Sequence, residues 1–345
     1  MIRIGILGGA NIAIRSVLPV LVKHPDFRIA AIASRSAEKA TQLARQYDCR
    51  PMSYSELVES PDVDALYVPL PTGLHFEWCM AALRQGKHVL CEKSLGCTLA
   101  EVDAIVRQAK AGNLALMETF QFRFHRQNRW VKQFVMEGGV GEVRCFRSSF
   151  GFPPFADPDN IRYQPELGGG ALLDAGAYTL KALDFFLGGD FEVRAATLTV
   201  PDGRRVECSG GAYLSDSRGR IAELAFGFDH FYQCNYEIWG DRAKISVQRA
   251  FTAPANFKPD VLVERQEGVE RIELEPDDHF FNMFTEFAGM VANPRVGLSY
   301  AECRRQAALI EQLRRAAGPP MGTANYEVRS FAGGLMAESE CNNAK

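Results

Sequence analysis

Residues 2–120 alternate short β-branched runs with helical patterns, and few folds accept that rhythm. Ile2 to Leu7 reads as a strand and Asn11 to Lys23 as the helix after it. Phe27 to Ala33 and Ala37 to Tyr47 repeat the pair, followed by a short strand near Arg50 to Met52 and a helical turn at Tyr54 to Glu59. Val63 to Pro69 leads into His75 to Gln85, and His88 to Cys91 into Leu99 to Ala111, with Ala115 to Glu118 last. Parallel strands cannot be joined by a tight turn, so each crossover takes a helix. Alternation at this pitch predicts an α/β, doubly wound parallel sheet of the Rossmann type.

After about residue 140 the rhythm changes. Gly141 to Phe150 reads as a strand, residues 151–168 as loop, and 171–187 as a helix. Strand-like segments follow at Val193–Val200, Val206–Leu214, Ile221–Phe228, Tyr232–Trp239, Val261–Arg265 and Ile272–Glu275. These predict a C-terminal α+β domain with a large, mostly antiparallel open sheet. Helices at His279 to Ala292 and Tyr300 to Ala316 close it. The expected division is a cofactor domain over 1–120, a substrate and oligomerisation domain over 121–320, and a poorly ordered tail over 321–345.

With 345 residues the chain can bury two cores, and a net charge of −3 without basic blocks gives no reason to expect a nucleic-acid partner. Nine cysteines without a C-x-x-C pair suit reduced thiols in the cytoplasm. Met1 to Ala10 lacks a signal peptide's basic flank and cleavage site. No apolar run approaches the roughly 20 residues of a membrane span, so no membrane is expected as partner. Six dispersed histidines offer no metal site.

The first strand runs into Gly8-Gly9-Ala10-Asn11-Ile12-Ala13. Against G-x-G-x-x-G/A, Gly8 and Ala13 fit, while Ala10 replaces the glycine that lets the backbone approach a pyrophosphate. The following helix N-terminus still offers N–H donors and a positive dipole end. The second strand ends at Ser34-Arg35, with Lys39 one turn on, where an NAD site carries a carboxylate for the ribose. A hydroxyl and a guanidinium suit a 2′-phosphate, so NADP(H) is expected over NAD(H). Pro69, Thr72 and His75 follow the fourth strand, where ligands of open parallel sheets bind. His75 reads equally well as a helix-cap residue.

Two further stretches carry the chemistry. Glu92-Lys93 ends a buried strand, and Gly168-Gly169-Gly170 opens a helix bearing Asp174, Tyr178 and Lys181. Positions i, i+4 and i+7 share a helical face. A lysine, an acid and a phenol aimed at one pocket suit a carbonyl/alcohol redox centre. Singly, each has a structural reading: a snorkelling lysine, a helix-dipole acid, a core tyrosine.

Gly8–Ala13, Glu92-Lys93 and Gly168–Tyr178 together resemble the glucose–fructose oxidoreductase/inositol dehydrogenase (Gfo/Idh/MocA) family over roughly residues 1–320. The resemblance implies a Rossmann domain followed by an α/β domain whose open sheet forms a homodimer or homotetramer contact. Many members carry His where this chain has Tyr178, and a proline where it has Ser94. A cis bond before a non-proline residue costs roughly 2.5–4 kcal/mol. Three stretches are similar to nucleotide-sugar 3-ketoreductases: Ala10 to Arg15 running into Leu18-Pro19, Phe120 to His125, and Asn160 to Gln164. The implied reaction is reduction of the 3-keto group of a dTDP-linked deoxyhexose. Tyr178 would deliver the proton, its pKa lowered by Lys93, which also meets the substrate oxygen. Asp174 would orient substrate or Lys93, and Glu92 would pack near the nicotinamide. Arg123, Arg162 and Lys181 are candidates for the diphosphate, and Tyr163 or a neighbouring phenylalanine for stacking on the pyrimidine. A dehydrogenase of free sugars or trans-dihydrodiols is the alternative enzyme, and a non-catalytic dinucleotide sensor the alternative of another class.

Overall fold

A computed structural model of the chain describes residues 1–293, 299–319 and 321–322. The first sheet is built from β1 (Ile2–Leu7), β2 (Phe27–Ala33), β3 (Arg50–Met52), β4 (Ala65–Val68), β5 (His88–Glu92) and β6 (Leu116–Thr119). All pairings are parallel, in the order β3-β2-β1-β4-β5-β6. A π-helical turn Ala13–Val17 runs into α1 (Leu18–Lys23), and α2 (Ala37–Gln46), α3 (Tyr54–Glu59), α4 (His75–Arg84) and α5 (Leu99–Ala111) make the other crossovers. β4 and β6 are buried at every position because helices cover both faces. Ser36 caps α2, while Ser53 with Glu56 and Thr98 with Glu101 form capping boxes on α3 and α5. The strand order reverses between β1 and β4, which opens the crevice where such sheets bind ligands. The loops after β1 and β4 edge it.

The second sheet has nine strands. After α6 (Arg126–Met136) come β7 (Val143–Gly151) and then α7 (Ala177–Leu187), itself preceded by a π-helical turn at Leu172–Gly176. There follow β8 (Glu192–Val200), β9 (Ser209–Ser215), β10 (Ile221–Gly227), β11 (Gln233–Gly240), β12 (Lys244–Val247), β13 (Asp260–Arg265), β14 (Gly268–Glu273), α8 (His279–Ala292), α9 (Ser299–Ala317) and β15 (Met321–Gly322). Their order is β14-β13-β12-β11-β7-β10-β9-β8-β15. Only the β10–β7 and β15–β8 pairings are parallel. Phe146, Leu224, Phe226, Tyr236 and Ile238 belong to the core shared with α7. The register aligns Tyr213, Glu223, Arg147 and Glu237 in one row, with Tyr213 and Trp239 still 41% and 49% exposed.

The expected sheets, and the helices at 171–187 and 279–292, are present. Three features differ. α6 is absent from the sequence reading, although Trp130, Val131, Phe134 and Val135 fall on one helical stripe; neighbouring Arg, Lys and Gln residues dilute it. β12, four residues long, was too short to separate from the turns around it. Met321–Gly322, read as the start of the tail, pair with Thr199 and Val200, and 323–345 lie outside the described residues. The chain also returns to its first domain: Met283, Phe284 and Phe287 of α8 pack with Ile4, Ile6 and Tyr67. α9 buries Cys303 and Ala307 in the first domain's core and Leu309, Ile310 and Leu313 in the second's.

Candidate active site

Lys93 leaves the carboxyl end of β5, and Asp174 and Tyr178 lie in the helical run that continues as α7. Three bonds join these stretches. The Lys93 ammonium donates to both the carbonyl and the carboxylate Oδ1 of Asp174, at 2.9 Å for the carbonyl, and Ser94 Oγ donates to the Leu173 carbonyl at 3.1 Å. The other Asp174 oxygen accepts from Arg162 Nε at 2.5 Å. Burial alone would push the Asp174 carboxyl up, but Lys93 and Arg162 outweigh it and hold the group well below the usual carboxylate range. Lys93 Nζ is 5.0 Å from the centroid of the Tyr178 ring. The lysine, acid and phenol expected at one pocket are therefore together, and Arg162 joins them.

The supports under Lys93 come from the first domain. The Lys93–Ser94 peptide is cis. His75 is fully buried, with its ring nitrogens 2.7 Å from the carbonyl oxygens of Ser94 and Leu70. It holds the strand end and has no surface for a cofactor, which corrects its assignment to the dinucleotide. Glu118, equally hidden, accepts from the Leu95 N–H at 2.8 Å. Glu92 accepts from the Tyr67 hydroxyl at 2.7 Å; burial pushes its carboxyl up, and the Tyr67 bond works against that.

The loop before Asp174, at Glu166 to Gly168, is docked to the loop after β4 backbone against backbone. A Cβ on Gly73 would lie 2.8 Å from the Glu166 carbonyl oxygen, and one on Gly168 (φ +72°) 2.7 Å from the Gly73 nitrogen. Only glycine allows that approach on both sides. Thr72 packs at the same contact. Glu207 closes the start of the helical run, its carbonyl accepting from Ala171 N at 2.8 Å and its carboxylate from Leu172 N at 3.2 Å.

Tyr178 is 7% exposed and ringed by Phe120, Phe122, Phe150 and Phe251. Its hydroxyl lies 3.3 Å from both Oε1 and Nε2 of Gln121. Burial, and after it the Glu92 charge, push the phenol above its ordinary range, with Gln121 pulling the other way. This corrects the expectation of a phenol made more acidic by Lys93, whose ammonium is engaged by Asp174.

Two cations expected at the substrate lie elsewhere. Arg123 pairs with Glu302 at 2.6 Å, and Lys181 lies 3.6 Å from Asp184 and 3.8 Å from Glu302. They line a separate cleft with Lys132 and Arg305, behind the Phe120 and Phe122 rings. Lys181 faces that cleft because carboxylates from α7 and α9 are there to meet it, a long-range fact that helical spacing does not carry. Tyr163 is also structural: its hydroxyl accepts from Phe155 N at 3.1 Å and Arg204 covers its ring at 3.7 Å. Sequence reasoning missed Gln121 and Tyr67. Gln121 is the second residue after β6, inside the Phe120–His125 stretch, whereas Tyr67 sits in a uniformly buried strand with no polar signal.

The crevice after β1 fits a dinucleotide. Gly8, at φ +132°, packs under Leu70, and a Cβ there would fall 2.9 Å from the leucine Cδ2. Ala10 leads into the helical run that begins at Asn11 and Ile12, with Ile14 N bonded to the Ala10 carbonyl at 3.1 Å and no acid in the π-helical turn at Ala13–Val17 to repel an anion. Ser34, Arg35 and Lys39 stand at the end of β2, with the Lys39 stem over Gly9. Among the described residues no cluster of metal-ligating side chains occurs, the eight cysteines are free, and no helix is long and apolar enough to cross a membrane.

Comparison with known proteins agrees with this layout. Residues 2–120 match the model of an oxidoreductase family with an NAD-binding Rossmann fold, and 128–246 the GFO/IDH/MocA C-terminal domain. A dTDP-3,4-didehydro-2,6-dideoxy-alpha-D-glucose 3-reductase of Streptomyces antibioticus is 38% identical over 92% of this chain and 97% of its own length. The enzyme of the same name from Actinomadura kijaniata is 41% identical over 92% and 96%. The crystal structure of KijD10, a 3-ketoreductase from Actinomadura kijaniata in complex with NADP and TDP-benzene, superposes with a TM-score of 0.88 at 40% identity, covering 91% of this chain and 97% of that one. The two domains, the glycine crevice and the Lys93–Tyr178 centre thus have one setting: the chain belongs to the GFO/IDH/MocA oxidoreductase family.

Proposed function

We propose that the protein is an NADP(H)-dependent ketoreductase that reduces the 3-keto group of a dTDP-linked deoxyhexose. The observation that carries this reading is the meeting of Lys93 and Tyr178 across the two domains, in a chain that matches dTDP-sugar 3-reductases over nearly its whole length. Residues 8–12, 34, 35 and 39 would hold NADPH at the β1 crevice, with Pro69, Thr72 and Glu92 along its path, and it would supply the hydride. The chain's own residues do the rest. Lys93 places an ammonium where negative charge develops on the ketone oxygen. Asp174, itself held by Arg162, fixes that ammonium, and Arg162, 38% exposed, is the cation left to meet the substrate's diphosphate. Tyr178, a phenol protonated at neutral pH even at its ordinary pKa of about 10 and pushed higher by burial, carries the proton the product alcohol needs.

The enzyme works in the cytoplasm, where unpaired thiols stay reduced. It assembles as a homodimer or homotetramer through the exposed Tyr213–Trp239 face of the second sheet, which light scattering would read as a multiple of the chain mass. The test of the reaction is NADPH oxidation with the dTDP-linked 3-keto sugar, free hexoses and D-xylose as separate substrates. Turnover confined to the dTDP sugar supports the proposal. Turnover of free sugars alone overturns it.

A further inference from the structure

Gln121 has no part in the residues so far given a chemical role, yet it is the hydrogen-bond partner of the proton-donating phenol. It is 8% exposed, in the first turn after β6. Its Nε2 donates to the Phe251 carbonyl at 3.4 Å, which fixes which way the amide points. With that bond made, Nε2 keeps one N–H for Tyr178 Oη, 3.3 Å away. Oε1, also at 3.3 Å, can accept the phenol O–H only while that proton is not pointed at substrate.

We propose that Gln121 is the positioning residue for the phenol: its anchored Nε2–H donates to Tyr178 Oη while the phenol's own proton passes to the ketone oxygen. The proposal rests on the reading of Tyr178 as proton donor. In that step a C–H bond forms at the ketone carbon from the hydride, and the C=O π pair moves onto oxygen. The oxygen takes the phenol proton; the ketone is reduced and NADPH oxidised. The phenolate left behind regains a proton from solvent. Of the two Gln121 contacts, only that of Nε2 grows stronger through the transfer, because a donor meets developing charge. The other charged or titratable groups facing Tyr178 are Lys93 and Glu92 at the end of β5, Asp174 on its own helical run, Arg162 from the loop, Tyr67 from β4 and Cys234 from β11. None of them is a hydrogen-bond partner of the phenol oxygen among the described residues.

The experiment compares Gln121→Leu, Gln121→Glu and Tyr178→Phe with wild type. It measures NADPH affinity by fluorescence, and kcat and KM for the dTDP-linked ketone from pH 5 to 9. Gln121→Leu lowers kcat by about 10- to 100-fold, the span of one hydrogen bond to a charged group. KM and NADPH affinity stay within about threefold, on the reasoning that a contact strengthened only in the transition state acts on kcat. Gln121→Glu has the same shape but carries no donor when ionised and a single O–H when protonated, so its kcat climbs back as the pH falls and the carboxyl takes up its proton. Wild-type kcat and pH profile in Gln121→Glu, with Tyr178→Phe inactive, overturn the proposal alone. Full activity in Tyr178→Phe overturns the reading beneath it.

Discussion

Asp174→Asn keeps the shape of the site and removes one charge, leaving the Lys93 ammonium and the Arg162 guanidinium facing a neutral amide. The aspartate side chain is 20% exposed and the lysine 11%. Removing one partner of a buried ion pair costs about 3–5 kcal/mol. Arg162 is 38% exposed, so solvent takes up part of its loss, and about 3 kcal/mol is the expected destabilisation at pH 7. The two cations hold the Asp174 carboxyl low against the opposing push of burial. Such a group contributes stability that is complete above its unfolded pKa of about 3.9 and is lost as the pH falls toward the depressed folded value. The gap between wild type and Asp174→Asn is therefore flat above about pH 5 and narrows by about 1 kcal/mol by pH 3. Urea unfolding followed by tryptophan fluorescence at four or five pH values measures it. Equal stability at pH 7, or a gap unchanged down to pH 3, would refute the assignment of Asp174 as the charge holding Lys93 and Arg162.

Arg35→Ala should weaken NADPH binding by about 10- to 100-fold and leave NADH within about threefold in a fluorescence titration, the loss of one charge-assisted contact to a 2′-phosphate; equal losses would mean that the guanidinium serves no phosphate. Lys93→Ala combined with Tyr178→Phe should reduce turnover by at least about 10³-fold with NADPH still bound, and near-normal turnover would place the centre elsewhere. Gly73→Ala should cost about 1–3 kcal/mol in unfolding experiments, because its Cβ would meet backbone atoms of Glu166 and Leu167 at 2.8 Å. Gly289→Ala in α8, with open space at its Cβ, is the control that should lose nothing.

The parallel sheet was legible because β-branched runs and amphipathic helices announce themselves over ten residues at a time. Lys93, Asp174 and Tyr178 were legible because a strand end and an i, i+4 pair are local patterns. What failed was long-range. Arg123 and Lys181 are cations, but Glu302, more than a hundred residues away, decides which way they face. His75 reads as a cofactor contact or a helix-cap residue until the Ser94 carbonyl is found against its ring. The phenol of Tyr178 was expected to be acidic from its neighbour's charge, yet its aromatic ring of neighbours and its depth decide the direction. Gln121 could be noticed only once Tyr178 and Phe251 were placed beside it.

One helix has a bearing on how the molecule melts. α9 contributes side chains to two hydrophobic cores, Cys303 and Ala307 to one and Leu309, Ile310 and Leu313 to the other. Neither core can lose its order without stripping a face of the same continuous rod, and a rod frays from its ends, not its middle. The two domains are thus joined in heat as well as in chemistry. A calorimetric scan should show one cooperative endotherm, and a cavity cut at Ile310 should lower the temperature at which the nucleotide crevice, on the other side of the molecule's seam, gives way.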